Sequence, residues 1–321
     1  MTTPPPRPFH ALVTGATGGI GRAACDALAA MARAQGRTPR LSVAASRPGE
    51  ALDALVRELG DAGVEAVGLA GDLTDPAACH DLVAQALARG GDLDALVCVA
   101  GAARAAALAD LDVAQWDRSF ALNVRPVWLM AQAARASLAR TRGSIVAVAS
   151  MSGVQPHPGL GAYSAAKAAL IMLCRQLAQE WGGDGIRANC VSPGMIRTPL
   201  TEPIYRDATV TQRREALVPL GRIGSAADVG RVVAFLASDA AAYVTGANLL
   251  VDGGVTDHMF ATIPGRPGAP APFRHQRAFS GPEPMMPPML SSTIEKKLRS
   301  QLAIDQNVDR CCMPVAIFWH S

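Results

Sequence analysis

The chain has 321 residues, half of them hydrophobic and 18% charged, with a net charge of +3. That is enough apolar material for a buried core and too little charge for a chain that stays unfolded. The positive excess lies beyond residue 258, because residues 1–258 carry 23 basic and 23 acidic side chains; a neutral body lacks the clustered basic face that nucleic-acid binding needs.

The opening MTTPPPRPFH has no apolar stretch of the secretory kind, and residues 1–7 read as an N-terminal arm. No apolar run reaches the ~18 residues of a membrane span, so a cytoplasmic protein without a membrane partner is expected. The seven cysteines stand at 25, 79, 98, 174, 190, 311 and 312. None falls in a C-x-x-C or another metal-ligand spacing, which implies free thiols in a reducing compartment and no metal.

From His10 onward, short apolar β-type runs alternate with longer helical patterns. The runs are His10–Val13, Leu41–Ala45, Val64–Leu69, Ala95–Val99, Ser144–Ala149, Arg187–Val191 and Asn248–Val251. The helical patterns lie near 20–34, 50–60, 76–89, 113–139, 162–181 and 226–238. Such alternation predicts an α/β fold, a doubly wound parallel sheet of the Rossmann kind covered on both faces. Ligands of such sheets bind at the carboxyl ends of the strands.

The first run leads into Thr14-Gly15-Ala16-Thr17-Gly18-Gly19-Ile20-Gly21, followed by a helix. Gly15, Gly19 and Gly21 are spaced G-x-x-x-G-x-G. Glycines allow a tight turn and close backbone approach, and a helix N-terminus offers N–H groups to a pyrophosphate. A turn that merely packs helix on strand is the plainer alternative. After the second run comes Ala45-Ser46-Arg47. An acid there would bind a ribose 2′-hydroxyl, whereas a base suits a 2′-phosphate; Arg47 therefore favours NADP over NAD. Asp72, in Gly71-Asp72-Leu73 at the end of the third run, is placed either to accept from an adenine amino group or to start the next helix. Ala100-Gly101 follows the fourth run, where glycine lets the backbone pass close to a ribose.

Ser150 ends the fifth run. Thirteen residues later, Tyr163 and Lys167 open an Ala-rich helix at i and i+4, on one face. A free tyrosine, with a pKa near 10, is a poor proton-transfer group at neutral pH. A neighbouring ammonium would favour the phenolate and lower that value, as acid–base catalysis requires. Taken alone, a Y-x-x-x-K pair is more often structural.

The ordered set is more specific: glycine turn, Asp72, Gly101, Asn123, Ser150, Tyr163, Lys167, then Pro193-Gly194 and Thr198. It resembles the classical short-chain dehydrogenase/reductase family over about residues 8–258. Gly221-Arg222-Ile223-Gly224, Tyr243-Val244-Thr245-Gly246 and Val251-Asp252-Gly253-Gly254 extend the match to the end of that single domain. The resemblance implies an NAD(P)(H)-dependent oxidoreductase interconverting a ketone and a secondary alcohol. Tyr163 would be the general acid/base, Lys167 would bind the nicotinamide ribose, and Ser150 would place the substrate oxygen. Asn123 would hold a proton-relay water. Thr14, Gly15, Thr17, Gly19, Ile20, Gly21, Arg47, Asp72, Leu73, Ala100, Gly101, Tyr163, Lys167, Pro193, Gly194, Ile196 and Thr198 would line the cofactor site. It also implies dimers or tetramers, no metal, and a loop and helix over the substrate from Met195 to Val218. One departure is Cys98-Val99-Ala100-Gly101, where the family has Asn-Asn-Ala-Gly, the asparagines bracing the sheet.

The nearest motifs are those of 3-oxoacyl carrier-protein reductases and acetoacetyl-CoA reductases, so an NADPH-dependent ketone or 3-oxoacyl reductase is the leading expectation. The two positions at which carrier-protein reductases place docking arginines hold Thr141 and Asp184. An NAD-dependent secondary-alcohol, sugar or polyol dehydrogenase is the alternative, and a catalytically idle nucleotide sensor or scaffold is one of another class. The arginines in the substrate loop, Arg206, Arg213 and Arg214, could meet an anionic substrate, although solvation is the plainer reading. Beyond His258, eight prolines between Pro264 and Pro288 suit an irregular C-terminal extension, 259–321. Ser292–Ala303 could add a short amphipathic helix.

Overall fold

The computed structural model describes residues 6–258; the Pro-rich extension, with Ser292–Ala303 and the last two cysteines, lies outside the described residues. Seven strands form one parallel sheet: β1 Phe9–Thr14, β2 Pro39–Ala45, β3 Glu65–Ala70, β4 Ala95–Cys98, β5 Ser144–Val148, β6 Arg187–Pro193 and β9 Asn248–Val251. Their order is β3-β2-β1-β4-β5-β6-β9. A second, two-residue pair joins β7 Ile196–Arg197 to β8 Gly224–Ser225.

Every residue of β1, β4 and β5 is buried. Strands covered on both faces need no polar alternation, which is why they read as continuous apolar runs. On one face, α3 Pro76–Gly90, α5 Arg125–Thr141 and α6 Tyr163–Trp181 enclose a core that includes Leu82, Leu96, Met130, Leu138 and Leu170. On the other, α1 Gly19–Ala34, α2 Glu50–Asp61 and α9 Ala226–Ala237 enclose Phe9, Val13, Leu28, Leu55 and Val233. Truncating one of these leucines to alanine would cost about 2–5 kcal/mol.

The strand order reverses between β1 and β4, so the loops after them diverge and leave a crevice at their carboxyl ends. The expected helix over 113–139 is two helices, α4 Val113–Asn123 and α5. Val124 leaves helical geometry between them (φ −125°, ψ −60°), ahead of Pro126 at the start of α5. Proline has no N–H to continue the ladder and disfavours helical backbone before it.

At the opposite end of the sheet, Arg7 is bonded rather than free: it pairs with Asp94, as does Arg37, and donates to the Asp92 carbonyl. Asp94 also accepts from the His10 backbone N–H. The buried His10 ring lies between the Gly91 carbonyl and the Ser42 hydroxyl, each 3.0 Å away. Burial, the largest influence, holds its pKa below the ordinary 6.5, and Arg40 acts in the same direction.

The unfolded chain therefore takes up a proton at His10 near pH 6.5, where the folded chain resists it. The contribution to stability is complete above that pH and is lost as the pH falls from there towards the folded pKa. Thermal unfolding across this window should show a falling Tm in the wild type and a flatter profile in His10→Gln. Parallel profiles would exclude His10 as the cause.

Candidate active site

The glycine turn closes over the carboxyl end of β1. Gly15 has φ +64°, and a Cβ there would lie 2.9 Å from the Ala100 backbone. Helix α1 then follows its N-cap residue Gly18 with no side-chain cap and no acid in its first turn. Its first N–H groups and positive dipole end are open to an anion. The turn lines a cavity of ≈ 370 Å³ that also takes in Thr14, Thr17, Ser46, Asp72, Leu73, Gly101 and Thr198. This arrangement fits a dinucleotide, with the uncapped helix at the pyrophosphate position.

Arg47 is exposed, one residue beyond Ser46, the last residue of that loop in the cavity wall. Asp72 lies in the loop after β3 rather than at the strand's end. Its carboxylate accepts from the Thr74 N–H and hydroxyl, which lower its pKa. The helix-starting role belongs to Asp75, which caps α3. Where the family's asparagines would brace the sheet, the Thr14 hydroxyl accepts from the Ala100 N–H (3.3 Å).

A second cavity, ≈ 310 Å³, continues past Ile20, Gly101 and Thr198 to Ser150, Tyr163 and Lys167, with Pro193, Gly194 and Ile196 on its far wall. Ser150 follows β5, and its hydroxyl accepts from the Ser152 N–H. Tyr163 and Lys167 share a face of α6, with the Lys167 ammonium 5.7 Å from the Tyr163 ring centroid. That ammonium is buried and donates to the Val148 carbonyl at 2.9 Å. Burial brings its pKa down to about 8. The thiols of Cys98, Cys174 and Cys190 surround it; burial pushes Cys98 up to about 12, so it stays neutral.

The expectation that Lys167 lowers the Tyr163 pKa needs correction for the protein in this state. Burial raises the Tyr163 value, and the opposing influence is the Ser150 hydroxyl. The ammonium donates to the Val148 carbonyl. The Asn123 side chain is already occupied. Its carbonyl oxygen accepts from the Ala102 N–H, and its amide donates to the Ala102 and Ser119 carbonyls. That side chain is spent on holding the loop after β4 and is not a free water ligand. The packing is tight: a Cβ at Gly101 would lie 2.7 Å from the Asn123 side-chain oxygen and 3.0 Å from the Lys167 ammonium.

Several residues of the second cavity escaped the motifs. Thr201 accepts from the Thr198 N–H (2.9 Å) and donates to the Ile196 carbonyl (2.7 Å), tying the turn after β7; hydroxyls three residues apart after Pro-Gly are its sequence signal. The substrate segment folds as α7 Glu202–Tyr205 and α8 Ala208–Glu215, bringing Tyr205 and Arg214 to the wall. A third cavity, ≈ 530 Å³, adjoins through Met151, Ser152 and His157 and reaches Leu217, Asp257 and His258. The Ser152 hydroxyl lies 3.1 Å from the His157 ring.

Among the described residues no helix is long and apolar enough to cross a membrane. The family model described as enoyl-(acyl carrier protein) reductase matches residues 15–256. The chain is 39% identical over 247 residues to L-rhamnose 1-dehydrogenase (NAD(P)(+)) of a Sphingomonas species, an alignment covering 76% of this chain and 94% of that protein. It is 37% identical over 248 residues to the 3-oxoacyl-(acyl-carrier-protein) reductase of Escherichia coli, covering 76% and 96%. A solved structure from Beutenbergia cavernae, provisionally assigned as an NAD(P)-dependent gluconate 5-dehydrogenase and carrying NADP at low occupancy, is 30% identical with a TM-score of 0.70, covering 78% of this chain and 98% of that one. This protein is an oxidoreductase of the classical short-chain dehydrogenase/reductase family, acting between alcohol and ketone groups.

Proposed function

We propose that the chain is an NADPH-dependent reductase of a ketone or 3-oxoacyl group, with Tyr163 as general acid. The observation that carries this reading is the meeting of Ser150, Tyr163 and Lys167 in the wall of one cavity, continuous with the cleft under the uncapped start of α1. The cofactor, when bound, supplies the hydride. Gly15, Thr17, Gly19, Ile20 and Gly21 hold the pyrophosphate end, and Asp72 and Leu73 flank the adenine. Pro193, Gly194, Ile196 and Thr198 hold the nicotinamide end.

The Ser150 hydroxyl donates to the substrate carbonyl oxygen and fixes it beside the phenol. Tyr163 then gives up its proton to that oxygen as it gains negative charge. The Lys167 ammonium, held at its pKa of about 8, stabilises the phenolate that results. Because the Asn123 side chain is occupied, a relay water would be held by its main-chain carbonyl. At the break after Asn123 the Val127 N–H turns to the Val124 carbonyl (3.1 Å). The reverse reaction, oxidation of a sugar, polyol or other secondary alcohol, uses the same residues as base; similarity to L-rhamnose 1-dehydrogenase favours this second reading.

A carrier protein is not the favoured partner. Thr141 bonds to the Leu93 carbonyl and Asp184 pairs with Arg135 (2.8 Å), so neither docking position is basic. A free small molecule is the better match. Self-association as a dimer or tetramer is supported by exposed Trp116, Trp128 and Met172 on the outer faces of α4, α5 and α6.

Removing the proton donor should leave nucleotide binding in place. In Tyr163→Phe, kcat for carbonyl reduction should fall about 100- to 10,000-fold, the range of a lost general acid, with unchanged NADPH affinity by fluorescence titration; undiminished reduction would defeat the mechanism. For cofactor choice, NADPH should bind more tightly than NADH. Arg47→Ala should weaken NADPH alone, by roughly tenfold for one charge-assisted contact; equal affinities before and after would remove the case for NADP. Gly101→Ala should keep its fold by circular dichroism and yet lose nucleotide affinity, because the new methyl displaces Lys167 and the Asn123 amide. Normal affinity would show that this contact relaxes freely.

A further inference from the structure

Arg206, Arg213 and Arg214 are equivalent in sequence, but the fold separates them. Arg206 and Arg213 are exposed, whereas Arg214 is half-buried and lines the ≈ 310 Å³ cavity with Ser150 and Tyr163. Its guanidinium lies 5.7 Å from the centroid of the buried Tyr205 ring. Arg197 stacks on the same ring at 5.3 Å, but its charge is answered: it pairs with Glu202 (3.5 Å) and donates to the Tyr205 carbonyl (3.1 Å). Arg214 has no carboxylate partner among the described residues, and no described residue lining this cavity is aspartate or glutamate.

A guanidinium is a permanent charge with donors in a planar fork that matches a carboxylate. The cation–π contact with the buried Tyr205 ring holds the guanidinium in the wall in advance, which lowers the ordering cost of binding. The other cation of the cavity, Lys167, is tied to the Val148 carbonyl. An unanswered, pre-oriented cation in an acid-free wall is complementary to a negative group on the ligand.

We propose that Arg214 is a specificity-determining residue that binds a carboxylate on the substrate, so that the physiological substrate is a keto acid or the corresponding hydroxy acid. This rests on the reductase reading given above. Arg214 would anchor the carboxylate while Ser150 and Tyr163 engage the carbonyl. The Ser152–His157 pair lies in the wall of the same cavity.

The test uses the full chain with NADPH and a panel of short 2-oxo and 3-oxo carboxylates, each paired with its methyl ester. The wild type should favour the acids. In Arg214→Gln the acid-to-ester ratio of kcat/KM should fall about 10- to 100-fold, the range for losing a charged hydrogen bond, through KM rather than kcat, and Arg214→Lys should recover part of it. Equal losses on acid and ester, an unchanged ratio, or a shift in NADPH affinity that assigns Arg214 to the cofactor would each overturn the proposal. A second readout needs no turnover: calorimetric titration of the matching saturated carboxylates and their amides into the NADP⁺ complex. The carboxylates should bind the wild type more tightly than Arg214→Gln does, with the amides showing no such difference; equal carboxylate binding would also overturn it. Failure of the reductase reading is separately visible, as undiminished turnover in Tyr163→Phe.

Discussion

The site is organised around a buried ammonium. Lys167 is 2% exposed, and an ion held that far from water loses several kcal/mol of solvation unless hydrogen bonds replace it. The Val148 carbonyl supplies one such bond at the point where β5 ends. The sheet thereby determines where the charge stands, and α6 determines where Tyr163 stands relative to it. Burial is the largest influence and leaves the ammonium with a pKa of about 8. A residue so placed can respond to charge that develops beside it, such as a phenolate or a ribose hydroxyl.

The neighbouring residues follow from this constraint. Gly101 must lack a side chain because the Asn123 amide and Lys167 occupy that space. The Asn123 amide holds the Ala102 backbone, next to Gly101 in the wall of the nucleotide cleft. The cofactor cleft and the substrate cavity meet at Ile20, Gly101 and Thr198. A proton donor on α6 therefore faces a cavity to which the Met195–Val218 segment contributes Thr201, Tyr205 and Arg214. The proton donor and the ammonium stand on α6, and the proposed carboxylate anchor, Arg214, stands on α8.

This division explains what was legible in the sequence. Fully buried parallel strands announce themselves as apolar runs, and all seven were located to within a few residues; Asn248–Val251 coincides with β9. The glycine turn and the Ser150–Tyr163–Lys167 spacing were legible because backbone and helix geometry dictate them locally. The break at Val124 was missed although Pro126 signals it, because apolar periodicity runs through both helices. The direction of the Tyr163 shift was missed because it depends on burial and on where Lys167 turns, which are tertiary facts. Arg214 could not be told from Arg213 for the same reason: only the packing of Tyr205 directs one inward. In the same way, the occupied side chain of Asn123 is a matter of loop path, not of residue type.

The account turns on Lys167 being a desolvated ammonium with its proton poised near neutral pH. The chain contains three lysines, Lys167, Lys296 and Lys297, so selective isotope labelling gives few signals to assign. NMR titration of the lysine side chains, with Lys167→Arg to identify its signal, tests the claim directly. The account predicts that Lys167 titrates near pH 8 in the free protein. Titration at the ordinary value of 10.5 would contradict it.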